Sequence, residues 1–114
     1  YSFFSKSRYF NLIETSSKSN YISMLNNSLF LIGNSSSFLI EAPYLHKIIL
    51  LYGNRQNGRE IDDTIIKINY NYKIFSKLFV KILNNDLKTK KNSNIFGDGN
   101  AIKSCLSYID KNLI

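Results

Sequence analysis

The sequence predicts an α/β fold, and three observations carry that reading. Two apolar runs, Leu29–Ile32 and Ile48–Tyr52, have strand length and are closed by Gly33-Asn34 and Gly53-Asn54. Apolar residues then recur at helical spacing at Ile74, Phe75, Leu78, Phe79, Ile82 and Leu83, which places an amphipathic helix near residues 72–85 and expects those six side chains in the core. A second helical pattern, Ile102, Cys105, Leu106, Ile109 and Leu113, follows Gly97-Asp98-Gly99-Asn100, with Asp98 or Asn100 as N-cap.

In chain order, residues 1–20 mix Tyr1, Phe3, Phe4, Tyr9 and Phe10 with serines, Lys6 and Arg8, and sustain neither periodicity. They read as an extended N-terminal arm and a loop, leaving residues 21–114 as a single α/β domain or half-domain. After the first run, Phe38, Leu39, Ala42 and Leu45 lie at helical spacing, with Ser35, Ser36 or Ser37 available as N-cap. Pro43 opposes a continuous helix there, since a proline past the first turn costs roughly 3 kcal/mol. The rival is a hairpin of 29–32 with 37–41, followed by a helix that starts at Pro43 and is capped by Gly53, and local rules lean slightly towards it. Arg55–Asp63 is a polar loop, and Thr64–Tyr72 reads as an extended segment.

Length bounds the rest. One domain fits 114 residues, and 44% hydrophobic residues are enough for a core. The apolar runs are far shorter than the roughly 20 residues of a membrane-spanning helix. A single cysteine, Cys105, excludes an internal disulfide and a cysteine-based zinc site, and its place among apolar helix positions marks it as a small core residue. His46 stands alone, and Glu60, Asp62 and Asp63 read as a solvated acidic loop before a cation site. No set of groups for nucleophilic or acid–base catalysis emerges, so no enzyme and no cofactor is expected.

Charge gives the functional direction. The net charge is +7, and nine lysines against three aspartates make residues 64–114 its source. Lys73, Lys77 and Lys81 stand at i, i+4 and i+8, where like charges oppose a helix by about 0.2–0.5 kcal/mol per pair unless something outside compensates. With Lys88, Lys90 and Lys91 beyond the helix and Arg55 and Arg59 in the polar loop, they form the candidate contacts to RNA phosphates. Sixteen isoleucines, 15 asparagines and 12 lysines against two alanines are the residue usage of an AT-rich gene, as in organelle genomes and some protist nuclear genomes.

Met24–Ile32, then Phe38-Leu39-Ile40-Glu41-Ala42-Pro43-Tyr44-Leu45, then Ile48–Asn54 resemble the C-terminal half of ribosomal protein two of the small subunit, in its bacterial and organellar form. Gly97–Ser104 or Asn71–Ser76 would open that family's last core helix. The first choice requires an insertion around residues 55–96. The resemblance implies part of a three-layer α/β domain, with strands 29–32 and 48–52 parallel and joined by a helix around 36–46, and it outweighs the hairpin. It also implies a structural constituent of a mitochondrial small ribosomal subunit in the mitochondrial matrix. Its partners would be ribosomal RNA, other ribosomal proteins and possibly a separate chain completing the domain. A soluble accessory subunit of a mitochondrial respiratory complex is the alternative.

Overall fold

Strand alternation sorts the apolar residues of this chain onto two faces, and each face has its own helical cover. The computed structural model describes residues 7–88 and 94–113. Helix α1 (Lys18–Asn27) leads into β1 (Phe30–Gly33). A short helix α2 (Ser37–Ile40) and a 3-10 turn (Ala42–Leu45) then cross to β2 (Ile48–Leu51). Strand β3 (Ile65–Lys67), helix α3 (Tyr72–Leu83) and helix α4 (Ala101–Leu113) complete the order.

The three strands form one parallel sheet in the order β1-β2-β3, with Leu31 opposite Ile49 and Ile49 opposite Ile65. That register settles the choice between crossover and hairpin in favour of the crossover. Leu31, Ile49, Leu51 and Ile65 pack with Leu25 of α1 and with Leu39 and Ala42 of the crossover. On the opposite face Leu50 and Ile68 pack with Ile82 of α3, flanked by Phe30, Ile48, Ile66, Phe75 and Leu78. The result is three layers in which the middle strand β2 is covered on both sides, while Ile32 of β1 and Lys67 of β3 stay exposed at the sheet's edges.

Pro43 shapes the crossover without breaking it. The α-helical part stops at Ile40, and Pro43 falls in the opening positions of the 3-10 turn, where its missing N–H costs little. His46 closes that turn in the left-handed region at φ 53°, with its N–H donating to the Pro43 carbonyl at 3.2 Å. Expecting one helix across 36–46 therefore needs correction to two short helical pieces.

Helix α1 is missing from the elements the sequence predicts: Lys18–Asn20 fall in the segment read as arm and loop, and Tyr21–Asn27 carry no predicted element. Ser17 caps it by accepting from the Asn20 N–H at 3.2 Å, and Tyr21, Ile22 and Leu25 turn inward. The Tyr21 hydroxyl also hydrogen-bonds the Ser37 hydroxyl, tying α1 to α2.

Helix α3 matches its expected place, and Asn71 caps it by accepting from the Ile74 N–H at 3.0 Å. Its burial needs correction. Ile82 is buried and Phe75 and Leu78 are half-buried, whereas Ile74, Phe79 and Leu83 are exposed. At 3.6 residues per turn the six positions span about 180° of the helix surface, and three strands cover only the middle of that arc. Phe79 still meets the Phe30 ring edge-on at 5.9 Å.

The second helical pattern also forms, yet α4 is exposed along residues 101–112. Cys105 is thus an exposed thiol and not a core residue, because an apolar stripe says that something can cover it without saying what. Asp98, just ahead of α4, accepts from the Asn100 backbone and side-chain amides at 3.0 Å each, which holds its carboxyl below the ordinary range. The Tyr44 hydroxyl donates to the Gly97 carbonyl at 2.5 Å, linking this turn to the crossover.

Candidate functional site

In an open parallel sheet every strand delivers the chain to the same edge, so the loops leaving β1, β2 and β3 gather beyond the strands' carboxyl ends. After β1 comes Asn34-Ser35-Ser36; after β2, Tyr52–Glu60; after β3, Ile68–Asn71. The ladder continues a step into these loops. The Tyr52 N–H donates to the Gly33 carbonyl at 2.9 Å, and the Gly53 N–H to the Asn69 carbonyl at 3.3 Å.

The serine turn is held from inside. Ser35 Oγ accepts from the Ser37 N–H at 3.4 Å, and the Leu39 and Ile40 N–H groups donate to the Ser36 carbonyl at 3.0 and 3.1 Å. Ser35 and Ser36 are exposed, and the Ser36 hydroxyl has no hydrogen-bond partner among the described residues. Across from it, Arg55 and Arg59 are exposed, and neither guanidinium forms an ion pair among the described residues. Between them Gln56 is 3% exposed and donates from Nε2 to the Asn34 carbonyl at 2.6 Å. This bond joins the arginine loop to the serine turn. Arg59 and Glu60, with Leu39, Ile40 and Phe96, also line a cavity of about 180 Å³ at this end of the crossover.

Acidic and basic groups are sorted by sheet edge. Asp62 and Asp63 precede β3 and belong to the amino edge, leaving Arg55 and Arg59 with only Glu60 in the loop after β2. Asp62 is 1% exposed and accepts from the Thr64 N–H at 2.9 Å, so it shapes the turn into β3 and is no part of a solvated acidic loop. The carboxyl edge is consequently a hydroxyl- and guanidinium-bearing surface, the donor set that anionic oxygens accept from.

The expected phosphate contacts that the structure describes fall in three places. Arg55 and Arg59 are exposed in the loop that leaves the carboxyl end of β2, while Lys73, Lys77 and Lys81 lie on the solvent face of α3. Lys88 lines a cleft of about 540 Å³ with His46, Lys47 and Asn85 at the opposite edge. Lys90 and Lys91 lie outside the described residues. Ser35, Ser36 and Gln56 were not singled out for function in the sequence. The signal of the two serines was a glycine- and serine-rich turn straight after a buried apolar run, a pattern equally explained by helix capping, and Gln56 had none.

Gly53 shows how closely this edge is built. Its φ is +89°, and a Cβ there would come within 2.9 Å of the Tyr70 hydroxyl and 3.0 Å of its ring. Tyr70 in turn meets Tyr52 edge-on at 5.3 Å. Gly53→Ala should therefore lower the unfolding free energy by about 2–3 kcal/mol in urea titrations, and Gly53→Ala with Tyr70→Ala should recover the steric part but not the roughly 1 kcal/mol of backbone cost. Tyr70→Ala alone also removes the contact with Tyr52, so that single variant completes the cycle, and strictly additive losses would show that Tyr70 does not press on this turn.

In open parallel α/β sheets ligands bind in the crevice outside the carboxyl ends of the strands, where these loops lie. Comparison with known proteins makes the assignment specific. The family model described as UDP-N-acetylglucosamine 2-epimerase matches residues 2–110, and the chain belongs to that family. Among curated proteins it is 36% identical over 90 residues to the UDP-N,N'-diacetylbacillosamine 2-epimerase (hydrolyzing) of Legionella pneumophila. That alignment takes in 78% of this chain and 23% of the relative, so the chain spans about a quarter of that protein's length. No solved structure gives a significant match.

These findings overturn the ribosomal resemblance and what it implied. A place in a ribosomal subunit, ribosomal RNA and ribosomal proteins as partners, the respiratory-subunit alternative and the expectation of no enzyme all give way to a family of enzymes. The resemblance misled because it rested on a strand, a helix with Glu41-Ala42 and a second parallel strand. That order belongs to many parallel α/β folds and does not define function.

Proposed function

We propose that the chain supplies the nucleotide-diphosphate-binding part of an enzyme that epimerises a UDP-linked N-acetylated sugar at carbon two. The observation that carries this reading is the joining of the serine turn to the Arg55–Arg59 loop at the carboxyl edge through the Gln56–Asn34 hydrogen bond. Family membership supports the substrate class. In this reading the Ser35 and Ser36 hydroxyls donate to phosphate oxygens, and Arg55 and Arg59 neutralise the charge of the two phosphates. Donors fixed in advance hold the diphosphate of the sugar nucleotide without reorganising when it binds.

Isothermal titration of the chain should rank UDP above UMP and UMP above uridine, with the UDP affinity falling as salt screens the exposed guanidinium groups. The expected step is about tenfold per phosphate, on the scale of one charge-assisted hydrogen bond. Equal affinity for UDP and uridine, or none for UDP, would refute the reading.

A further inference from the structure

The hydrogen bond that joins the two loops assigns a role to a residue that need not touch the ligand. We propose that Gln56 is a positioning residue, which sets the distance between the arginine loop and the serine turn before a diphosphate arrives. The inference rests on the phosphate site proposed above.

The sheet itself cannot set that distance. Its last link between the two loops is the Tyr52 N–H on the Gly33 carbonyl, and beyond it the backbones of Asn34–Ser36 and Asn54–Glu60 have no ladder. The next bond across the gap is the Gln56 side chain on the Asn34 carbonyl at 2.6 Å, between residues 22 apart in sequence. A buried amide that gave up this bond would lose its hydration without replacement, so the contact is held by the cost of breaking it. Gln56 Oε1 already lacks a partner, and freeing Nε2 would strand the whole amide in a 3% exposed site.

Gln56 also connects to both arginines. Arg55 precedes it, and its own backbone carbonyl accepts from the Arg59 N–H at 3.3 Å. A shift of Gln56 therefore moves both guanidinium groups relative to Ser35 and Ser36. The internal closure of the loop does not use the side chain, because the Asn57 N–H on the Asn54 carbonyl, at 3.0 Å, and the Arg59 bond are both backbone contacts. Removing the amide should thus leave the loop formed and loosen only its placement.

Gln56→Met keeps the length and volume of the side chain and removes the donor. In the full 114-residue chain, Gln56→Met should raise the UDP dissociation constant by about three- to tenfold, the worth of one net hydrogen bond. The uridine constant should stay within about twofold of the parent on that same scale. Gln56→Glu, which sets a carboxylate against the Asn34 carbonyl, should lose more than Gln56→Met. Equal UDP affinity in Gln56→Met and the parent would overturn the proposal, as would equal losses for UDP and uridine, which mark a general structural role. Failure of the parent chain to bind UDP would instead remove the phosphate site, and the positioning role with it. A measurement without substitution covers the case of a misfolded variant. The Gln56 side-chain amide protons of the parent should exchange with solvent far more slowly than those of a free glutamine before any ligand is added, and exchange at the free rate would refute the tie.

Discussion

Replacing Arg55 and Arg59 together by alanine should weaken UDP binding by roughly ten- to a hundredfold, the range expected for losing one to two charge-assisted contacts to phosphate. Both side chains are exposed in a loop whose backbone closes on itself, so their loss should leave the fold intact. Conversely, Lys77→Gln with Lys81→Gln should leave UDP affinity unchanged, because those lysines stand on the solvent face of α3. Circular dichroism and titration calorimetry on the two double variants decide the matter. An effect of the lysine pair as large as that of the arginine pair would place the anion site elsewhere.

The largest expected loss of stability is at the centre of the sheet. Leu50 on the middle strand β2 is fully buried, packed with Ile68 and Ile82 beneath α3. Leu50→Ala should cost about 2–5 kcal/mol, the transfer of the lost methyl groups plus the cavity left behind. Leu83, on the same helix face by periodicity, is 58% exposed, and Leu83→Ala should cost less than about 1 kcal/mol. Urea denaturation of both separates a sheet covered by the middle of the α3 stripe from one covered by all of it. Comparable losses at the two positions would contradict the layer arrangement.

What was legible in the sequence follows the strength of each local signal. The runs at 29–32 and 48–52 found their strands within a residue because uninterrupted apolar stretches closed by a glycine are what a strand of a covered parallel sheet requires. Helix α3 was readable because its six apolar positions hold phase over 10 residues, and the same phase said nothing of how wide a sheet lay beneath. Helix α1 escaped because its polar start, Lys18-Ser19-Asn20, continues a serine-rich stretch, and only Tyr21, Ile22 and Leu25 face the core. The crossover was ambiguous since Pro43 fits the start of a 3-10 turn as well as it opposes an α-helix.

The candidate site was half visible. Arg55 and Arg59 were singled out for their charge, although the phosphates assigned to them were those of RNA. Ser35, Ser36 and Gln56 acquire meaning only when parallel pairing brings two loops to one edge. A serine that caps a turn and a serine that holds a phosphate share one local pattern, and a buried glutamine in a polar loop has no periodic signature.

Titration of the ¹⁵N-labelled chain with UDP, followed by amide chemical shifts, locates the nucleotide-diphosphate site residue by residue. Saturable shifts should concentrate at Gly33–Ser37 and Gly53–Glu60, with the α3 residues from Tyr72 to Leu83 little moved. Shifts centred on α3 or on the His46–Lys88 cleft, or no shift at millimolar UDP, would contradict the assignment of the carboxyl edge as the nucleotide-diphosphate site.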